Sequence, residues 1–152
     1  MRIYLDTNVF ACLFDDRSHP TVEIEAQAAL ILFTLIESKK LTCLSSDILK
    51  LEIEHCSLTK RIRLQSLICL CSQHVSENES IKFLAEEIYE KCGVAPRDAL
   101  HIASACVGKS DFFVTCDYEI SKKAKKIEKV LKDKGYNTHI RSILDFMKEV
   151  EE

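Results

Sequence analysis

The sequence predicts an α/β fold in which helices cover a mostly parallel sheet. Short apolar, β-leaning runs alternate with longer stretches of helical periodicity along the whole chain, as expected for strand–helix–strand units and not for a helical bundle or an all-β sandwich. The glycines Gly93, Gly108 and Gly135 each fall just past a predicted helix end, where a left-handed residue is wanted. The 152 residues contain no internal repeat, low-complexity stretch or linker, so a single domain over 1–152 with a core of its own is expected.

Ile3-Tyr4-Leu5 reads as the first strand and ends at Asp6. From Val22 to Lys39 the apolar positions Ile24, Ala28, Ile31, Leu32 and Leu35 share one helix face. Leu41-Thr42-Cys43-Leu44 reads as the second strand, and Ser45, Ser46 and Asp47 offer N-caps for a helix running to about Cys56. A further helix is predicted from Arg61 to about Cys71. Ile81, Leu84, Ala85, Ile88, Tyr89 and Cys92 form the clearest amphipathic stripe in the chain. Pro96 suits the first turn of a helix over 96–107. Phe112-Phe113-Val114-Thr115 reads as a strand, and Ser121 is placed to cap a lysine-rich helix whose inner face is Ala124, Ile127, Val130 and Leu131. Thr138-His139-Ile140 is a weaker last strand.

Composition excludes several classes. Apolar residues make up 47% and charged residues 30%, which is incompatible with a disordered chain. No apolar run approaches the ~18 residues of a membrane span, and the start MRIYLDTNVF has no uncharged leader core. A cytoplasmic protein with no membrane association is expected. The net charge of −3 excludes a globally basic nucleic-acid binder, so any such contact must be local or metal-mediated. Eight cysteines invite a zinc reading, but the nearest pair, Cys69-Leu70-Cys71, is separated by a single residue, and zinc sites want about two to four between paired thiolates. The cysteines read as small, reduced core residues.

The chemistry-bearing residues are acidic. Asp6 ends the first strand and Asp117 lies just past Phe112–Thr115. In open parallel sheets ligands bind outside those carboxyl ends, where the strand order reverses. Glu52 lies on the helix after the second strand and Asp98 in the first turn of the helix at Pro96. Glu52 and Glu54 point about 200° apart on a helix, so only one faces a given site. Carboxylates ~6 Å apart repel by about 3 kcal/mol at an effective dielectric near 20, so such a cluster calls for a cation or a retained proton. An oxygen-only donor set favours Mg²⁺ or Mn²⁺ over zinc, and a bound divalent ion can activate water and neutralise charge on a phosphodiester.

Leu5-Asp6-Thr7-Asn8-Val9, Ser46-Asp47-Ile48-Leu49-Lys50-Leu51-Glu52, Pro96-Arg97-Asp98-Ala99-Leu100-His101-Ile102-Ala103 and Phe113-Val114-Thr115-Cys116-Asp117 resemble, in order, the signature segments of PIN domains. The nearest resemblance is to stand-alone prokaryotic PIN proteins akin to VapC-type toxins. It implies a three-layer α/β/α sandwich with strand order 3-2-1-4-5 and metal-dependent hydrolysis of RNA phosphodiester bonds. It carries the acidic positions onto Asp6, Glu52, Asp98 and Asp117, with Asp6, Asp98 and Asp117 as metal ligands. Glu52 then holds a second ion or orients the attacking water. Asn8 and Thr115 match positions that support the metal or its waters, and His101 belongs to the motif's packing. The partners it implies are RNA, a small antitoxin and a second copy of the chain. A catalytically silent PIN module that binds RNA or a protein is the alternative.

Other features are weaker. Lys122, Lys123 and Lys126, in a band that continues through Lys125, Lys129, Lys132 and Lys134, form either a solvated helix face or a clamp on an RNA backbone. Arg97 and Arg17 are lesser phosphate contacts. Phe10, Leu13 and Phe14, with the stripe from Ile24 to Leu35, are core residues or a partner face. There is no nucleophile elbow or Gly-rich phosphate loop. Phosphatase chemistry that starts from an aspartate wants a second Asp where Asn8 stands.

Overall fold

The computed structural model describes residues 1–151. In chain order it forms β1 (Arg2–Leu5), α1 (Thr7–Ala11), a 3-10 turn (Cys12–Phe14), α2 (Pro20–Glu37), β2 (Thr42–Ser46), α3 (Asp47–Glu54), α4 (Leu58–Ile68) and β3 (Gln73–Val75). There follow α5 (Glu79–Cys92), α6 (Pro96–Val107), β4 (Phe112–Thr115), α7 (Tyr118–Ser121), α8 (Ala124–Asp133), β5 (His139–Ser142) and α9 (Ile143–Glu151). The five strands make one sheet in the order β3-β2-β1-β4-β5, and every neighbouring pair is parallel. The fold is therefore the α/β sandwich with strand order 3-2-1-4-5.

Strand alternation sends successive side chains to opposite faces and builds two cores. Ile3, Leu5, Cys43, Phe112 and Val114 pack with Val9 and Phe10 of α1, Leu32 and Phe33 of α2, Leu49 of α3, Leu64 of α4 and Phe146 of α9. Tyr4, Leu44 and Phe113 face the other way, onto Leu84 and Ile88 of α5, Ile102 of α6 and Ile127 and Leu131 of α8. The chain runs outward from β1 through β2 to β3, then returns to place β4 on the other side of β1. The switch point lies between β1 and β4, the position at which an open parallel sheet leaves a crevice.

Several elements depart from the expectation. β3 has only three residues, two of them exposed, so there is no apolar pattern to read. Side chains hold it in place: His74 bridges Ser45 Oγ at 2.8 Å and Asp47 Oδ1 at 2.8 Å. Helix α2 turns a different face inward, leaving Ile24 at 53% and Ile31 at 50% exposure while Ala29, Phe33 and Ile36 are buried with Ala28 and Leu32. Its sequence is apolar almost all round, and periodicity then sets no phase. Phe10 is core, whereas Phe14 is exposed. Ser121 closes α7 and caps nothing; Asp117 caps α7, and α8 begins without a side-chain cap. Helix α9 was not expected at all.

Gly93 and Gly135 have positive φ, but Gly108 has φ −77 and the left-handed residue there is Lys109, at φ 60. Gly108 is required for space instead. A methyl group at that position would overlap Leu44 of β2 and stand 3.1 Å from the Ser104 carbonyl. All eight cysteines are free: Cys12, Cys43, Cys92 and Cys106 are buried, Cys56, Cys71 and Cys116 half-buried, and Cys69 exposed. No helix among the described residues is long and apolar enough to cross a membrane.

Candidate functional site

Asp6 leaves β1 at the switch point, with its backbone N–H still donating to Val114 O of β4 at 2.9 Å. Its side chain is 4% exposed and fully engaged. Oδ1 accepts from Thr7 N at 2.8 Å, capping α1, and Oδ2 accepts from Thr115 Oγ1 at 2.9 Å and Asn8 Nδ2 at 3.2 Å. Asn8 Oδ1 accepts from Cys116 N at 3.0 Å, and Thr115 Oγ1 accepts from Asp117 N at 3.0 Å. Asn8 and Thr115 thus tie the turn after β4 to the carboxylate after β1. Burial raises the Asp6 pKa, against the opposing pull of His101 and the Thr115 and Thr7 hydrogen bonds.

Asp98 lies in the first turn of α6, half-buried. Burial, followed by the charges of Asp6 and Asp117, pushes its carboxyl up to about 6. Glu52 adds to that rise, so the other three sequence-predicted acids lie within electrostatic reach of Asp98. Asp117 caps α7 through a 2.8 Å bond from Glu119 N. Among the described residues no lysine or arginine forms an ion pair with Asp6, Asp98 or Asp117.

Glu52 is in a different environment. It is half-buried and turned toward Thr7 and His101, while Glu54 on the same helix is exposed. Its Oε1 accepts from Thr7 Oγ1 at 2.5 Å and from His101 Nε2 at 2.6 Å. Its Oε2 lies 3.4 Å from Nε of Arg97, whose side chain is 73% exposed at the rim. Burial works to raise the Glu52 pKa, but the His101 hydrogen bond and charge, the Thr7 hydroxyl and Arg97 together hold it below the usual value.

The lysines are less committed to the cleft. Lys122 Nζ pairs with Glu119 Oε2 at 2.7 Å and lies over the Tyr118 ring, 5.9 Å from its centroid. Lys123 Nζ donates to Gly93 O at 2.9 Å, bracing the end of α5. Lys126 is exposed.

The residues around Glu52 are what sequence reading missed. His101, read as packing, touches Glu52 directly, and Tyr4, an apparent core aromatic, reaches His101 through its hydroxyl. The available signal was spacing: His101 stands one helical turn after Asp98, and Tyr4 lies two residues before Asp6.

The donor chemistry of Asp6, Asp98 and Asp117 fits a hard divalent cation: oxygen ligands only, with carboxylate charge that His101 opposes in part and no lysine or arginine among the described residues pairs with. Among the described residues, however, no three His, Cys, Asp or Glu side chains already converge as a metal-holding group. The three acids influence one another electrostatically without forming a finished chelate, and since Asp6 is held by its hydrogen bonds, Asp98 and Asp117 are the ones that would turn onto a shared ion.

The sequence profile of the PIN domain matches residues 3–126. Among solved structures, the chain is similar in fold to the crystal structure of VapBC2 from Rickettsia felis bound to a DNA fragment from their promoter, with a TM-score of 0.58, 16% identity, and coverage of 93% of this chain and 98% of that one. No curated protein matches the sequence.

Proposed function

The chain belongs to the PIN domain family, and from that premise we propose that it is a divalent-metal-dependent endoribonuclease, the toxin of a toxin–antitoxin pair. The observation that carries the reading is the carboxylate group around the β1–β4 switch point, where Asp6 and Asp117 help push Asp98 to about 6 and none of the three is paired with a lysine or arginine among the described residues. Such a site is tolerable at neutral pH when a cation joins it. Asp6, Asp98 and Asp117 would hold a Mg²⁺ or Mn²⁺ ion. When bound, such an ion lowers the pKa of its water and neutralises charge on a phosphodiester.

The chain's own side chains supply orientation. Asn8 and Thr115 fix the Asp6 carboxylate and leave its rotation little freedom. Glu52, kept ionised by its donors, is a poor proton acceptor and a good hydrogen-bond acceptor, which suits it to aligning an attacking water. Arg97, and Lys122, Lys123 and Lys126 in the segment that follows Asp117, supply positive charge for an RNA backbone. The resemblance in fold to a VapBC2 structure supports an antitoxin partner, and the exposed Ile24, Leu30 and Ile31 on α2 offer apolar surface for it or for a second copy of the chain.

The test is cleavage of a panel of RNAs by metal-stripped protein to which Mn²⁺ or Mg²⁺ is restored, with Asp6→Asn as control. The expected result is metal-dependent cleavage that Asp6→Asn abolishes. No cleavage of any RNA with either ion, or activity unchanged in Asp6→Asn, would refute the reading. The alternative is a catalytically silent module that binds RNA or a protein; the four intact acidic positions argue against it, and RNA retention without cleavage in the same assay would select it.

A further inference from the structure

His101 is 1% exposed, yet both of its ring nitrogens are engaged. Nδ1 lies 2.6 Å from Tyr4 Oη, and Tyr4 Oη lies 2.6 Å from Ser46 Oγ. Nε2 lies 2.6 Å from Glu52 Oε1. Because Glu52 is held as a carboxylate, it can only accept, so Nε2 carries a proton and donates. Tyr4 Oη and Nδ1 share one proton between them, and Tyr4 Oη is in turn within hydrogen-bond reach of Ser46 Oγ, so each group in the row has a partner. Ser46 is itself fixed as the N-cap of α3, accepting from Leu49 N at 3.1 Å. Since α3 also carries Glu52, the chain of bonds starts and ends on one helix and passes through β1 and α6.

We infer that His101, locked by Tyr4, is a positioning residue for Glu52. It pins Oε1 together with Thr7 and so leaves Oε2 as the working oxygen, turned toward Arg97 and the open rim. The ring nitrogens of any buried histidine need partners; what sets this one apart is that one partner is an acid of the candidate site, and that the other is a tyrosine hydroxyl itself held by the cap of the same helix. The inference deepens the nuclease reading and rests on it. It assigns His101 no contact with RNA or metal, and it requires the ring to act by direction and not by size.

The experiment compares single-turnover RNA cleavage by His101→Leu, His101→Gln and Tyr4→Phe, each also combined with Glu52→Gln. Loss of an outer hydrogen-bond partner typically costs ~10–100-fold in activity. His101→Leu is expected to lower the rate by that factor with RNA affinity unchanged. His101→Gln, whose amide can reach as Nε2 does, is expected to recover most of it, and Tyr4→Phe to lose several-fold. In the Glu52→Gln background His101→Leu should cause no further loss, because the two residues act as one unit. A metal-free readout runs beside this: the Nε2 proton should appear as a slowly exchanging, downfield imidazole resonance that moves in both Tyr4→Phe and Glu52→Gln.

Equal losses in His101→Leu and His101→Gln, or losses that multiply with Glu52→Gln, would overturn the inference in favour of packing. Full activity in His101→Leu beside an inactive Glu52→Gln would overturn it and leave the nuclease reading standing. If the wild-type protein cuts no RNA, the nuclease reading fails; the downfield proton and its response to Glu52→Gln then report separately whether His101 holds Glu52.

Discussion

Replacing Asp98 by asparagine should stabilise the protein in the absence of metal. The carboxyl titrates at about 6 in the fold against an ordinary value of 3.8, a difference of about 2 units, or about 3 kcal/mol at 1.36 kcal/mol per unit. Asp98 is only half-buried, so solvent screening reduces this to about 1–2 kcal/mol. Between pH 3.8 and 6 the folded chain binds the proton more readily than the unfolded one. Stability therefore falls as pH rises through that window, and the penalty is complete above it. Asparagine never carries the charge. The gain of Asp98→Asn should be near zero at pH 4 and grow to about 1–2 kcal/mol by pH 7, a rise in Tm of about 3–6 °C for a chain of this length. The assay is a series of thermal melts of wild-type and Asp98→Asn protein in chelator from pH 4 to pH 8. A variant less stable than wild type at pH 7, or a gain as large at pH 4 as at pH 7, would refute the electrostatic reasoning.

Mn²⁺ in hundredfold excess over its dissociation constant should raise the stability of the wild-type protein by ~2.7 kcal/mol, and Asp6→Asn should remove that gain; differential scanning fluorimetry reads both. Glu52→Gln should lower RNA cleavage by at least ~100-fold, while Glu54→Gln, on the exposed side of α3, should stay within about twofold of wild type. Gly108→Ala should cost about 1–3 kcal/mol in urea unfolding, because the added methyl has no room beside Leu44. Thr115→Val should cost a similar ~1–3 kcal/mol, since Asp6 and the Asp117 N–H each lose a buried partner.

What could be read from the sequence was whatever a one-dimensional pattern can carry. Helix α6 opens at its proline, and its predicted limits, 96–107, are those observed. Strand β4 coincides with its apolar run, and α5 spans its stripe, beginning two residues before it at Glu79 and ending with it at Cys92. Strand β3 was not legible, because its support comes from His74 reaching sideways to Ser45 and Asp47. The phase of α2 failed because that helix is apolar on nearly every side. At the site, Asp6, Glu52, Asp98 and Asp117 were visible as acids at strand ends and on neighbouring helices. Their relation was not: no spacing along the chain shows that Glu52 meets His101 and Thr7, residues distant in sequence from it, while Asp98 feels the charges of three other acids with only His101 opposing them.

That difference divides the acids by task. Glu52 and Asp98 border the same cleft, yet one is held below the ordinary carboxylate range and the other is raised to about 6. Paired titratable groups whose environments drive their pKa values apart are suited to different work. An acid already supplied with a hydroxyl, an imidazole and a guanidinium has little left to offer a cation and is held in one direction. An acid facing other carboxylates gains most from a cation and has the freedom to turn toward it. On that reasoning Asp98 is the acid with most to gain from a divalent ion, while Glu52 is held by His101 and Thr7 beside Arg97.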